Sequence, residues 1–129
     1  MIFLDATFLL GLILEKDESH ERAMELIPTI DKKQKITSNI MIVETLNLLR
    51  KRLKKDLISD VYNNILKTSN VFDEHRGIYD RAVEISQKYK GKIGYADCTT
   101  IAIMEEIGIY EIASFDEHFD NKEKIIRIC

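Results

Sequence analysis

The stretch MIFLDATFLLGLIL (residues 1–14) carries a single charge, Asp5, within an otherwise apolar run. Its first five residues predict a short buried strand that ends at Asp5. The segment ATFLLGLILEK follows at once and is long enough for roughly two or three helical turns. An ionised carboxylate beside a hydrophobic core is costly unless its charge is compensated. This stretch therefore predicts the first strand and helix of an α/β fold, with an acid at the strand end that needs a partner.

Two later segments show the same pattern of a single acid in apolar surroundings, and a third segment carries a further acid. Glu44 is the only charge in SNIMIVETLNLL (residues 38–49), and Asp97 is the only charge in IGYADCTTIAIM (residues 93–104). Asp116 in IASFDEHF (residues 112–119) is a fourth candidate. Each acid has an ordinary explanation when taken alone: a helix cap for Asp5, a first-turn acid for Asp97, an arginine partner for Glu44 and an acidic turn for Asp116. Together they indicate a shared positive partner, and a divalent metal ion is the simplest one.

Strands and helices are predicted to alternate along the rest of the chain. The further strands are KITS, NVFDE, EIASFD and IIRI. The further helices are DESHERAMELI, NIMIVETLNLLRKRLK, LISDVYNNILKTS, GIYDRAVEISQKYK and YADCTTIAIMEEIG, the last capped by Gly108. This order predicts a mostly parallel sheet that is covered by helices on both faces. Ligands of such sheets bind at the carboxyl ends of the strands, so we expect the four acids to meet there, with Glu44 and Asp97 in the first turns of their helices.

Length and composition indicate one domain over residues 1–129, since no repeat, linker or low-complexity tract is present. The net charge of −3 excludes a strongly basic nucleic-acid-binding domain, so an enzyme acting on RNA would need a local basic surface. Cys98 and Cys129 form no metal-binding spacing, and a reducing cytoplasm is the expected location. No run approaches the ~20 apolar residues of a membrane span.

The predicted cluster suits magnesium better than zinc. Clustered carboxylates repel one another, so without a cation at least one should have a raised pKa. Magnesium is held through a few carboxylates and supports chemistry at phosphoryl groups. No histidine–cysteine set of the kind that holds zinc is present, and His20, His75 and His118 are predicted to be surface residues.

Two hydroxyls and one basic segment lie at suggestive positions. Thr7 follows Asp5 by two residues and Ser114 precedes Asp116 by two, so each could orient a carboxylate or could make a local turn bond. The segment RKRLKK could contact phosphates or could be a solvated helix end. Its basic residues are Arg50, Lys51, Arg52, Lys54 and Lys55.

At these residues the chain resembles the PIN-domain ribonucleases, especially the small VapC-like toxins of toxin–antitoxin pairs. The resemblance covers essentially the whole chain. It rests on FLDATFLL, ITSNIMIVETLNLL, GYADCTTIAIMEEIGI and IASFDEHFD, in this order and at this spacing. Two positions depart from the usual pattern. Ser114 stands where the family usually has threonine, and Phe115 replaces the more usual basic residue before the last acid.

The resemblance implies a three-layer α/β/α sandwich with a central, mostly parallel sheet of four to five short strands. It implies an endoribonuclease that depends on Mg²⁺, or on Mn²⁺, with its acids at Asp5, Glu44, Asp97 and Asp116. It also implies a homodimer, an RNA substrate and a cognate antitoxin that blocks the site. Asp120 matches a more variable position and is left out of the core set.

Three alternatives stay open at this point. A PIN-like fold could serve as a non-enzymatic RNA- or protein-binding module, or as a housekeeping RNA-processing nuclease. A phosphotransfer domain is the third, because FLDAT is similar to the strand-end aspartate segment of haloacid-dehalogenase-like phosphatases. Those enzymes need a second aspartate where this chain has Thr7.

Overall fold

The computed structural model describes all 129 residues, with helices and strands that alternate along the chain. The strands are β1 (Ile2–Leu4), β2 (Lys35–Ser38), β3 (Asn70–Phe72), β4 (Glu111–Ala113) and β5 (Ile126–Ile128). The α-helices are α1 (Ala6–Ile13), α2 (His20–Ile30), α3 (Asn39–Leu49), α4 (Lys55–Thr68), α5 (Arg76–Lys88) and α6 (Tyr95–Ile107). A 3₁₀ turn, Glu117–Phe119, lies between β4 and β5. None of the helices combines the length and hydropathy needed to cross a membrane.

The five strands form one sheet in the order β3-β2-β1-β4-β5, and every neighbouring pair is parallel. The chain builds outward from β1 to β2 and β3, and then crosses back so that β4 pairs with the other side of β1. In open parallel sheets the crevice at such a switch point is the usual place for a ligand. The carboxyl ends of β1 and β4 therefore mark the expected position of a site.

Alternating side chains of the strands fill two separate cores. On one face, Phe3 packs with Ile112 and with residues of α5 and α6. On the other face, Ile2 and Leu4 pack with Ala113 and with residues of α1, α2, α3 and α4. This arrangement confirms the predicted α/β fold with a central parallel sheet between two layers of helices.

Two details of α3 differ from the sequence-based expectation. The prediction that Glu44 lies in the first helical turn is wrong, because α3 begins at Asn39 and Glu44 is in its second turn. The helix also ends at Leu49, so the predicted extension to residue 54 is wrong. The segment 50–54 forms a turn in which the Leu53 N–H donates to the Leu49 carbonyl at 3.0 Å. No proline or glycine marks this break, after which α4 packs back onto α3.

Helix α4 is less buried than its apolar pattern predicts. Of the apolar residues in its sequence LISDVYNNILKTS, Ile65 is buried, whereas Leu57 and Leu66 are 45% and 44% exposed. Leu57 and Val61 line a groove of about 800 Å³ between α4, α1 and α2. Most residues of this groove are hydrophobic, and none of the four predicted acids lines it. The fold therefore presents an open apolar groove that is separate from the acidic edge of the sheet.

Candidate metal centre

Asp5 lies directly after β1 and is 2% exposed. Its Oδ2 atom accepts three hydrogen bonds: from the Thr7 N–H (3.3 Å), the Thr7 hydroxyl (2.6 Å) and the Ser114 hydroxyl (2.7 Å). The ordinary explanation of Asp5 as a helix cap is therefore confirmed. All of these contacts use one oxygen, and Oδ1 makes no hydrogen bond to the protein. Asp5 caps α1 with one oxygen and keeps the other available for a ligand.

The two hydroxyls connect the ends of β1 and β4 across the switch point. Thr7 Oγ1 lies 3.2 Å from Ser114 Oγ and accepts the Phe115 N–H at 2.9 Å. Ser114 Oγ also accepts the Asp116 N–H at 3.0 Å. Both predicted roles of these residues, orienting a carboxylate and making a local turn bond, occur together. These hydrogen bonds fix the position of the Asp5 side chain relative to the backbone of Asp116.

Glu44 projects from the second turn of α3 and is partly buried. Burial raises the pKa of Glu44, and the negative charges of Asp5 and Asp116 raise it further. No ion pair or hydrogen bond involves the Glu44 side chain, so the arginine partner that the sequence left open is absent. The lack of a protein partner leaves its carboxylate available to a cation.

Asp97 and Asp116 approach the same point from α6 and from the loop after β4. Asp97 is in the first turn of α6, as predicted. Burial raises the pKa of Asp97 to about 6, and the charges of Asp116 and Asp5 contribute to the same direction. Asp116 accepts the backbone N–H of His118 at 2.9 Å and so begins the 3₁₀ turn.

The charge of Asp116 raises the pKa of Asp5, Glu44 and Asp97, and the charge of Asp5 raises the pKa of Glu44 and Asp97, which places the four acids in one electrostatic cluster. Burial also raises the pKa of Asp5, against the opposing effect of its hydrogen bonds from Thr7 and Ser114. No lysine or arginine forms an ion pair with any of the four acids. The basic residues of segment 50–55 are exposed and lie outside the cluster, and Arg50 donates to Asn47 instead. A group of half-buried carboxylates without a cationic partner fits a divalent ion with oxygen ligands.

Sequence reasoning missed the histidine beside this cluster. His118 is 55% exposed, as expected of a surface residue, but its Nδ1 lies 3.4 Å from Asp97 Oδ2 and 3.3 Å from Asp116 Oδ1. One ligand atom of each of the three residues lies within 4.8 Å of the others. The sequence signal for this contact was the Asp-x-His spacing of Asp116 and His118. A tight turn places two residues with this spacing on the same side of the chain.

Two further residues of the last motif have structural roles. Asp120 forms a two-point ion pair with Arg127 at 2.7 and 2.9 Å, which agrees with its omission from the core set. The ring centroids of Phe115 and Phe8 lie 6.0 Å apart. The Cε2 atom of Phe115 lies 3.1 Å from the position that a Cβ atom at Gly11 would occupy, so the ring is close to the α1 backbone. The aromatic side chain that replaces the usual basic residue therefore packs against α1.

We expect Ser114→Ala to weaken divalent-ion binding by about tenfold to a hundredfold, because partners that orient a ligand contribute that much. The change removes a donor to Asp5 Oδ2 and the acceptor of the Asp116 N–H. Isothermal titration with Mn²⁺ measures the effect. Ser114→Thr keeps the hydroxyl and serves as the control. Equal affinity in Ser114→Ala and the wild type would contradict the orienting role.

An all-parallel sheet between helical layers, whose acids at the switch point have no lysine or arginine partner, defines an α/β protein suited to hold a cation at that edge. The sequence matches the model of the PIN domain over residues 2–125, and the chain belongs to the PIN domain family. A search of curated protein sequences gave no match.

Several solved structures share this fold. VapC20 of Mycobacterium tuberculosis, a toxin that cleaves the sarcin–ricin loop, aligns over 97% of this chain and 98% of its own, with 23% identity and a TM-score of 0.84. VapBC2 of Rickettsia felis, bound to promoter DNA, aligns over 99% and 98%, with 17% identity and a TM-score of 0.73. A toxin–antitoxin complex of Klebsiella pneumoniae aligns over 98% and 96%, with 19% identity and a TM-score of 0.72. These likenesses show the shared PIN-like fold.

Proposed function

We propose that the protein is a divalent-metal-dependent endoribonuclease that hydrolyses phosphodiester bonds in RNA. The observation that carries this proposal is the set of four carboxylates at the switch point of a PIN fold, which lack any lysine or arginine partner. Keeping such a cluster without a cation is unfavourable, so a function that uses a cation is the simplest reason for it. Mg²⁺ is the proposed ion, and Mn²⁺ can take its place.

The four acids have distinct roles in this proposal. Asp5 through Oδ1, Glu44 and Asp97 hold the principal ion, and Asp116 completes the site beside the substrate. When bound, such an ion lowers the pKa of water and offsets the charge that develops on the phosphoryl group. The Thr7 and Ser114 hydroxyls keep Asp5 in one orientation.

The basic segment 50–55 is the proposed contact for the RNA backbone. Its first residue, Arg50, follows Glu44 by six positions, which is about 9 Å along a helix axis. Lys54 and Lys55 follow in the exposed turn and at the start of α4. A chain with a net charge of −3 needs such a local basic surface to hold a polyanion.

Cleavage assays test the enzymatic proposal directly. The purified protein is incubated with structured and single-stranded RNAs in Mg²⁺, in Mn²⁺ or in chelator. Cleavage that needs the metal and stops in chelator is the expected result. Tight RNA binding without cleavage in Mn²⁺ would favour the non-enzymatic module instead. Trapping of a phosphoryl group on Asp5 by a small phosphodonor would favour the phosphotransfer alternative.

We further propose that the protein acts in the cytoplasm as the toxin of a toxin–antitoxin pair, as a homodimer. Solved structures with this fold include toxin–antitoxin complexes, which supports the assignment over a housekeeping nuclease. The apolar groove beside α4 is the proposed docking place for the antitoxin, because it leaves Leu57 about half exposed on a helix that has few other contacts. A short reading frame beside this gene, encoding the antitoxin, is the expected genomic context.

Leu57→Asp is expected to weaken antitoxin binding by tenfold or more, because it places a charge against an apolar partner at a cost of roughly 1.5–3 kcal/mol. Cleavage of RNA by the free protein should stay unchanged. Leu66→Asp is the matched control, since Leu66 is equally exposed on α4 but does not line the groove. Binding is measured by titrating the neighbouring gene's product. Equal losses in the two variants would contradict docking in the groove.

A further inference from the structure

The imidazole of His118 has no role in the site proposed above, yet it faces two of its acids. Its Nδ1 is 3.4 Å from Asp97 Oδ2 and 3.3 Å from Asp116 Oδ1. Hydrogen bonds between a charged donor and a carboxylate measure about 2.7–2.9 Å. Both separations are long by that standard, so His118 is not a tight hydrogen-bond partner of either acid.

The same separations are close to those between neighbouring ligands of one ion. Ligand atoms about 2.1 Å from an octahedral ion lie about 3.0 Å apart when adjacent and about 4.2 Å apart when opposite. The ligand atoms of Asp97, Asp116 and His118 all lie within 4.8 Å of one another. A small closure of the half-exposed His118 ring would bring the three atoms onto a single ion.

Asp120, the neighbouring acid that could have been a ligand next to Asp116, is already paired with an arginine. Asp120 gives both of its oxygens to Arg127, which also donates to the Ser114 carbonyl at 3.3 Å. The Glu117 side chain is exposed and forms no hydrogen bond or ion pair with the cluster. His118 is therefore the side chain of the 3₁₀ turn that remains available to a cation next to Asp116.

We infer that His118 is a nitrogen ligand of a divalent ion held by Asp97 and Asp116, and that it shifts the preference of this position from Mg²⁺, the ion proposed from the carboxylates alone, to Mn²⁺. The inference rests on the proposed function only in placing a divalent ion at the cluster. Magnesium prefers oxygen ligands, whereas an imidazole nitrogen favours transition metals. The Asp97 and Asp116 carboxylates supply oxygen ligands that either ion accepts.

The His118→Ala variant distinguishes a histidine that binds the metal ion from one that only forms an ion pair with the acids. If His118 is a ligand, His118→Ala lowers Mn²⁺ affinity by ~10-fold or more, since loss of even an orienting partner costs that much, and changes Mg²⁺ affinity by less than about twofold. If His118 only pairs with the acids as a cation, its removal relieves competition with the incoming ion. Affinity for both metals would then rise or stay the same, which would overturn the inference.

The experiment measures Mn²⁺ binding to the purified full-length chain by electron paramagnetic resonance. Electron spin-echo modulation then detects a nitrogen coordinated directly to bound Mn²⁺. We expect this modulation in the wild type and its loss in His118→Ala. His75→Ala is the matched control, because His75 is also 55% exposed beside a carboxylate, 2.8 Å from Glu106, and lies away from the cluster.

Failure of this inference is distinguishable from failure of the proposed function. Mn²⁺ that binds in an Asp97-dependent manner without nitrogen coupling rejects His118 as a ligand and leaves the carboxylate centre in place. A wild-type protein that binds no Mn²⁺ rejects both proposals. Nitrogen coupling without RNA cleavage keeps the histidine ligand and rejects the nuclease.

Discussion

Replacing Asp5 by asparagine is expected to lower the rate of metal-dependent RNA cleavage by about a thousandfold or more. The change removes one negative charge from the ion's proposed ligands, and a loss of about 4 kcal/mol in transition-state stabilisation corresponds to this factor. Asparagine keeps a side-chain oxygen that can accept the hydrogen bonds of Thr7 and Ser114. Rates with Mn²⁺ in excess, measured on a fluorescently labelled RNA, give the size of the effect.

The fold of the Asp5→Asn variant should be intact in chelator. Burial raises the pKa of Asp5, so its ionised form is a cost to the folded protein, and the variant should melt at the same temperature as the wild type or higher. Asp17→Asn is the matched control, because Asp17 accepts the Ser19 N–H at 2.9 Å in the same local geometry, away from the cluster. Cleavage by Asp5→Asn at the wild-type rate would show that Asp5 is not a ligand.

The second large effect concerns pH in the absence of metal. The pKa of Asp97 is raised from 3.8 to about 6 in the folded protein. Between these values the folded state binds more protons than the unfolded state, so the free energy of unfolding rises as pH falls through this range. The full cost of ionised Asp97, at most about 3 kcal/mol, is present above pH 6. The chelated protein should therefore melt at a higher temperature at pH 5 than at pH 7.5, by several degrees.

Added Mn²⁺ should remove most of this dependence. At a concentration of about 100 times its dissociation constant, a bound ion contributes about 2.7 kcal/mol, which offsets the cost of ionised Asp97 at pH 7.5, whereas protons compete with the ion at low pH. Melting followed by circular dichroism at the two pH values, in chelator and in Mn²⁺, checks both expectations. Asp97→Asn should flatten the pH dependence in chelator, whereas Asp56→Asn, a change at an exposed acid of α4, should not. If the wild-type protein in chelator were less stable at pH 5 than at pH 7.5, the acidic cluster would not be the group that dominates the pH dependence of stability.

Local patterns were sufficient to predict the order of strands and helices and the PIN resemblance. Each strand of this sheet is short and carries at least one β-branched or aromatic residue, and each helix has an apolar side or a capping residue such as Gly108, which adopts φ +70°. Isolated charges in apolar runs also identified Asp5, Glu44 and Asp97, because a single charge among apolar residues is easily recognised in a sequence. Helix ends were predicted less well, as α3 shows, since no local breaker marks its end at Leu49.

The sequence by itself determined which acids lie in apolar segments, and which strands and helices carry them. Only the tertiary structure decided that β4 pairs with β1, which brings the Ser114 hydroxyl to Asp5 across 109 residues. It likewise decided that Asp5 keeps one oxygen available, that Phe115 packs on α1 and that His118 faces the cluster. The physical reason is that periodicity reports the burial of a local face, whereas strand order follows from the packing of the whole chain. Contacts across the switch point depend on that order.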